Sequence, residues 1–81
     1  MDPDATWLEL RDTFLERQWL DVADLAQELL DWLQGGGFPP HFGNDPSRRE
    51  TDREWDKLVA LQAARAALRR ANREIRLDRR D

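Results

Sequence analysis

The sequence predicts an all-α protein folded as one small domain over residues 1–81. Two observations lead to this fold class. Apolar residues recur every three or four positions in three segments, which is the period of a helix face. Glycine and proline are concentrated between the second and third segments, where they interrupt helices. We therefore expect an antiparallel helical hairpin over 1–34, a loop rich in Gly, Pro and Phe over 35–46, and one long amphipathic helix over 47–79.

The first helix has a recognisable start. Asp2 is a good N-cap residue, and Pro3 fits the first helical position because its missing N–H would have no partner there. The helix should end near Arg17. Its apolar face is formed by Trp7, Leu10 and Phe14.

The second helix is expected to begin after a short turn, with Asp21 as its N-cap. The glycines at positions 35 to 37 should end it, because glycine adopts the left-handed conformation that helix C-termini favour. Two helices joined by so short a turn pack antiparallel. The apolar stripe of this helix contains Val22, Leu25, Ala26, Leu29, Trp32 and Leu33.

The loop contains two large apolar side chains, Phe38 and Phe42, among glycines and prolines. One interpretation is that both rings hold the loop against the apolar face of the hairpin. The other is that they form an exposed aromatic and proline clamp for a partner. The sequence leaves both interpretations open.

The third helix is predicted to begin at Ser47, which forms a capping box with Glu50, and no Gly or Pro interrupts it afterwards. At about 1.5 Å per residue it should measure roughly 45 Å, longer than the hairpin beside it. Its apolar residues form two clusters that face different directions. We expect the first to pack on the hairpin and the second to contact a partner helix. The first cluster is Trp55, Leu58 and Val59, and the second is Leu61, Ala64, Leu68, Ala71 and Ile75.

Charge is distributed unevenly along the chain. Residues 1–45 carry ten acidic and two basic side chains, a net charge of −8, whereas residues 46–81 carry a net of +4. Such asymmetry is typical of a binding surface or of halves that attract each other. The long helix also carries a row of arginines on one side. These arginines are expected either to flank the apolar face as solvated or salt-bridging neighbours, or to contact an acidic protein partner or nucleic-acid phosphates. This row is Arg65, Arg69, Arg73, Arg76 and Arg80.

Catalytic and metal sites are not predicted. The chain has no cysteine, and its single histidine, His41, has no second histidine with which to share a metal ion. Its carboxylates recur at helical spacing, which predicts acidic stripes facing solvent. We expect no catalytic residue, no metal and no cofactor.

The function expected from these observations is a non-enzymatic protein–protein interaction module, such as an adaptor, an accessory subunit or a small regulator. Its partner would be a second copy, giving a homodimer that completes a helical bundle, or a larger protein. The alternative is a nucleic-acid-binding accessory protein that uses the arginine row. No apolar run is long enough to cross a membrane, and no secretory signal precedes the first helix, so we expect a cytoplasmic protein without a membrane partner.

Overall fold

The computed structural model of the protein describes residues 2–40 and 50–78. These residues form three helices, α1 (Pro3–Leu15), α2 (Trp19–Gln34) and α3 (Glu50–Asp78), and contain no β-strand. The all-α prediction, with a helical hairpin followed by a longer helix, is confirmed. Helix α2 lies between the other two, because it packs against both α1 and α3 while those two hardly touch each other.

Helix α1 begins as predicted. One carboxylate oxygen of Asp2 accepts hydrogen bonds from the backbone N–H groups of Asp4 (3.0 Å) and Ala5 (3.2 Å), and Pro3 occupies the first turn. The helix ends in a Schellman motif, in which the N–H of Arg17 donates to Phe14 and that of Gln18 donates to Thr13. Arg17 adopts the left-handed conformation that this motif requires, with φ of 58°.

The prediction that Asp21 caps α2 is wrong. The helix begins at Trp19, and its N-cap residue, Gln18, makes no side-chain capping bond. The turn after α1 instead places the Trp19 ring against Phe14, with ring centroids 5.3 Å apart and planes at 88°. Because this aromatic contact fixes the chain at Trp19, the helix begins two residues before Asp21. Asp21 therefore lies within the first turn, where its charge favours the helix dipole.

Helix α2 ends at the glycines in a second Schellman motif. Gly36, with φ of 92°, donates to Leu33, and the N–H of Gly37 donates to Trp32. The indole N–H of Trp32 donates to the Phe38 carbonyl (2.8 Å), and the two rings pack edge to face. Phe38 thus holds the start of the loop to α2, although 56% of the residue remains exposed. Phe42 lies outside the described residues.

Helix α3 supplies small side chains to the core. Its fully buried hydrophobic residues are alanines, and they lie opposite larger side chains from α2. The predicted start at Ser47 and the last residue of the predicted range, Arg79, fall outside the described residues. Among those described, no helix has the length and apolar character needed to cross a membrane. The buried hydrophobic core contains Leu10, Val22, Ala26, Leu29, Leu30, Leu33, Ala60, Ala64 and Ala71.

The two apolar faces of α3 were assigned incorrectly from the sequence. Trp55 and Leu58, which were expected to pack on the hairpin, are 64% and 48% exposed. The alanines of the second cluster are buried instead. Helix α2 already fills its interface with leucines, so α3 packs closest where its own side chains are smallest.

Candidate protein-docking site

The row of residues predicted to bind a partner is largely occupied by the chain itself. Ala64 and Ala71 are completely buried, and Leu61 and Leu68 pack partly buried against the core. Ile75 is half-buried and lines a cleft between the α1–α2 turn and the end of α3. In this fold the row covers the hairpin, so it offers no continuous apolar surface to another chain.

An apolar groove lies instead between α1 and α3, and we call it the docking groove. It is open to solvent and has a volume of about 330 Å³. The α1 wall is large and aromatic, whereas the α3 wall is made mainly of alanines. The α1 wall consists of Trp7, Leu10, Arg11, Phe14 and Leu15, and the α3 wall consists of Ala63, Ala66, Ala67 and Arg70.

The groove exists because α1 and α3 both pack on α2 and not on each other. Alanines on α3 cannot reach across to the rings of α1, so a channel remains between the two helices. An exposed leucine extends this apolar surface along α1. Leu15, which lines the groove, is 71% exposed, and Leu8, two turns earlier on the same side of the helix, is 48% exposed. Apolar surface of this kind, bordered by polar groups, is typical of an interaction site.

Positive charge borders the groove on both walls. Arg70 donates from Nε to Glu74 (2.8 Å), and its guanidinium carbon lies 5.3 Å from the centroid of the Trp19 ring. These two contacts fix the position of the Arg70 head group. On the opposite wall, Arg11 forms a 3.3 Å ion pair with Asp12, with both side chains about 60% exposed. Exposed pairs of this type contribute little stability, so Arg11 remains available to another acidic group.

The arginine row of α3 is exposed on the side away from the core. Within residues 54–78, whose side chains are described, none of its arginines forms an ion pair within 4 Å. At 100° per residue they lie within about 80° of one another, and the row is adjacent to the groove side of α3, because Arg73 lies two turns after Ala66 on the same side of the helix. We call this surface the arginine face; it comprises Arg65, Arg69, Arg73 and Arg76. Arg80 lies outside the described residues.

No group of three His, Cys, Asp or Glu side chains in the described ranges is arranged to hold a metal ion. His41 lies outside those ranges. Comparison of the chain with protein-family models, with curated proteins and with solved structures found no match.

The α3 wall of the groove was not predicted from the sequence. Its residues, Ala63, Ala66 and Ala67, are interspersed in the sequence with the alanines of the core. Residue type therefore does not distinguish the groove positions from the core positions. The available signal was the spread of alanine over more than one face of α3. Small residues on two adjacent faces indicate close packing on one side and a shallow depression on the other.

Proposed function

We propose that this chain is a non-enzymatic protein–protein interaction module. Its docking groove binds an amphipathic helix whose apolar face is flanked by acidic residues. The observation that carries this proposal is the open apolar channel between α1 and α3, lined by Trp7 and Phe14 on one side and by alanines on the other. The expected cytoplasmic location stays a prediction.

A helix is the occupant that the shape of the groove favours. Helical partners insert residues spaced by three and four positions into apolar grooves between helices. The alanine wall permits a close approach, since the separation of packed helices depends on the size of the side chains between them. An inserted helix would cover Leu15, the most exposed of the large apolar residues on α1.

The charge at the groove favours acidic residues on the partner. Arg11 and Arg70 lie on opposite walls, and the arginine face continues beyond Ala66. Complementary charge beside an apolar contact increases the association rate and selects the partner's orientation. A helix with basic flanks would meet like charge on the arginine face.

Site-specific photo-crosslinking tests the proposal. A benzophenone amino acid would be placed at Ala66, which is exposed in the groove, and at Glu28 on the outer side of α2 as the matched control. Both full-length variants would be irradiated in the cells that naturally make the protein, and the crosslinked peptides would be sequenced by mass spectrometry.

We expect the Ala66 variant to crosslink to a helical segment with acidic flanks and the Glu28 variant not to do so. A segment of another protein and a segment of a second copy would both support the proposed function. The absence of a crosslinked chain at Ala66, or the same product at both positions, would contradict it.

A further inference from the structure

Helix α1 has the properties that the docking groove requires of its partner. Its exposed apolar side carries Leu8 and Leu15, with Trp7 half-buried beside them. Three acidic residues run alongside at spacings of three and four, which places them within about 60° of one another. We call this row the acidic edge; it consists of Glu9, Asp12 and Glu16, all exposed.

We infer that the occupant of the docking groove is α1 of a second copy of this chain, so that the protein forms a two-fold symmetric dimer. This inference rests on the proposed function and adds the identity of the partner. In such an isologous pair each α1 both lines its own groove and enters the other. The four helices α1 and α3 of the two copies then form a continuous apolar layer.

The positions of the charges support this pairing. The acidic edge lies about 120° around α1 from its buried residues, Pro3, Thr6 and Leu10, and therefore points away from α2 of the same chain. When α1 enters the groove of the second copy, this edge comes over the α3 surface beyond Ala66. That surface is the arginine face, which has no ion-pair partner among the described residues of its own chain.

The dimer accounts for two exposed features at once. The apolar side of α1 becomes covered, and the arginines of each α3 meet acidic residues of the other copy. Because the interface is two-fold, this charge contact occurs twice. Nucleic acid would satisfy only the arginines and would leave Leu8 and Leu15 exposed, and the chain's net charge of −4 opposes its approach.

Reciprocal charge reversal tests the inference on the full chain. The acid-reversed variant carries Glu9→Arg, Asp12→Arg and Glu16→Arg, and the arginine-reversed variant carries Arg69→Glu, Arg73→Glu and Arg76→Glu. All six positions are exposed, and circular dichroism would verify that each variant is helical. Mass in solution would be measured by light scattering behind a sizing column, before and after nuclease treatment.

We expect the unmodified protein to dimerise. Each variant alone should associate at least about tenfold more weakly, because every charge contact becomes repulsive. An equimolar mixture should regain the dimer, since both contacts are attractive again in the mixed pair. A control with Asp24→Arg, Glu28→Arg and Asp31→Arg on α2 has the same change in net charge as the acid-reversed variant and should stay dimeric.

Three results would overturn the inference. A monomeric unmodified protein would exclude self-association. If Ala66 then crosslinked to a different protein, the dimer would be wrong but the proposed function would still hold. Reversed variants that remain dimeric would place the interface elsewhere. Association that disappears on nuclease treatment would assign the arginine face to nucleic acid.

Discussion

At the scale of single residues, the turn between α1 and α2 depends on one unusual backbone conformation. Arg17 has φ of 58°, a value at which a side chain meets its own backbone, whereas glycine fills the equivalent position, Gly36, at the end of α2. The two helix ends therefore use the same hydrogen-bonding motif with different residues. The hairpin closes despite a local strain at Arg17.

Replacing Arg17 with glycine should stabilise the protein. Relief of the left-handed strain, about 1–2 kcal/mol, exceeds the entropic cost of glycine, about 0.5–1 kcal/mol, so we expect a gain of roughly 0.5–1 kcal/mol. Urea unfolding followed by circular dichroism measures this change. Gly36→Ala is the matched control and should lower stability, and a loss of stability in Arg17→Gly would mean that the arginine side chain itself holds the turn.

At the scale of the elements, α3 is a helix with different neighbours on each side. Its alanines at 60, 64 and 71 pack within the core, those at 63, 66 and 67 line the docking groove, and its arginines face solvent. Leu29 and Leu33 of α2 are fully buried against this core. Large residues on α2 and small residues on α3 keep the two helices close together.

This packing predicts that enlarging a small buried residue of α3 destabilises the protein more than truncating a large exposed one. Ala64→Leu adds volume where no space exists and should destabilise the protein by about 1–3 kcal/mol. Leu58→Ala removes a larger side chain from a site that is 48% exposed, so its effect should stay within about 0.5 kcal/mol. Thermal unfolding of both variants measures the difference. A greater loss for Leu58→Ala would mean that the first apolar cluster supports the core after all.

At the scale of the whole molecule, a chain of 81 residues buries a modest core and leaves several large apolar side chains exposed. On α1 these side chains are contiguous with the docking groove and lie beside the acidic edge. Association would bury apolar area that three helices alone cannot cover. Stability and assembly should therefore be linked.

The proposed dimer makes the melting temperature depend on protein concentration. A hundredfold increase in concentration should raise it by several degrees, because mass action favours the folded dimer over unfolded chains. Circular dichroism melts across that range test this, with the arginine-reversed variant as control, whose melting temperature should change much less. An equal response in both proteins would mean that the arginine face is not part of the dimer interface.

Most of the helix boundaries in this protein can be predicted from local signals in the sequence. Asp2 and Pro3 predicted the start of α1, the glycines after Gln34 predicted the end of α2, and the absence of Gly and Pro predicted a long α3. These signals act through a few neighbouring backbone groups, so they can be read without knowledge of the fold. The prediction that Asp21 caps α2 failed because the Trp19–Phe14 contact, which joins two helices, outweighed a local capping preference.

Which face of α3 is buried, and where a groove remains, depends on how the three helices pack together. Trp55 and Leu58 were expected to pack on the hairpin because they form an apolar cluster, yet helix packing depends on how two surfaces fit together, and the leucines of α2 required alanines opposite them. The docking groove likewise arises from the distance between α1 and α3. No residue pattern along one helix contains that distance, because it is set by the third helix on which both of them pack.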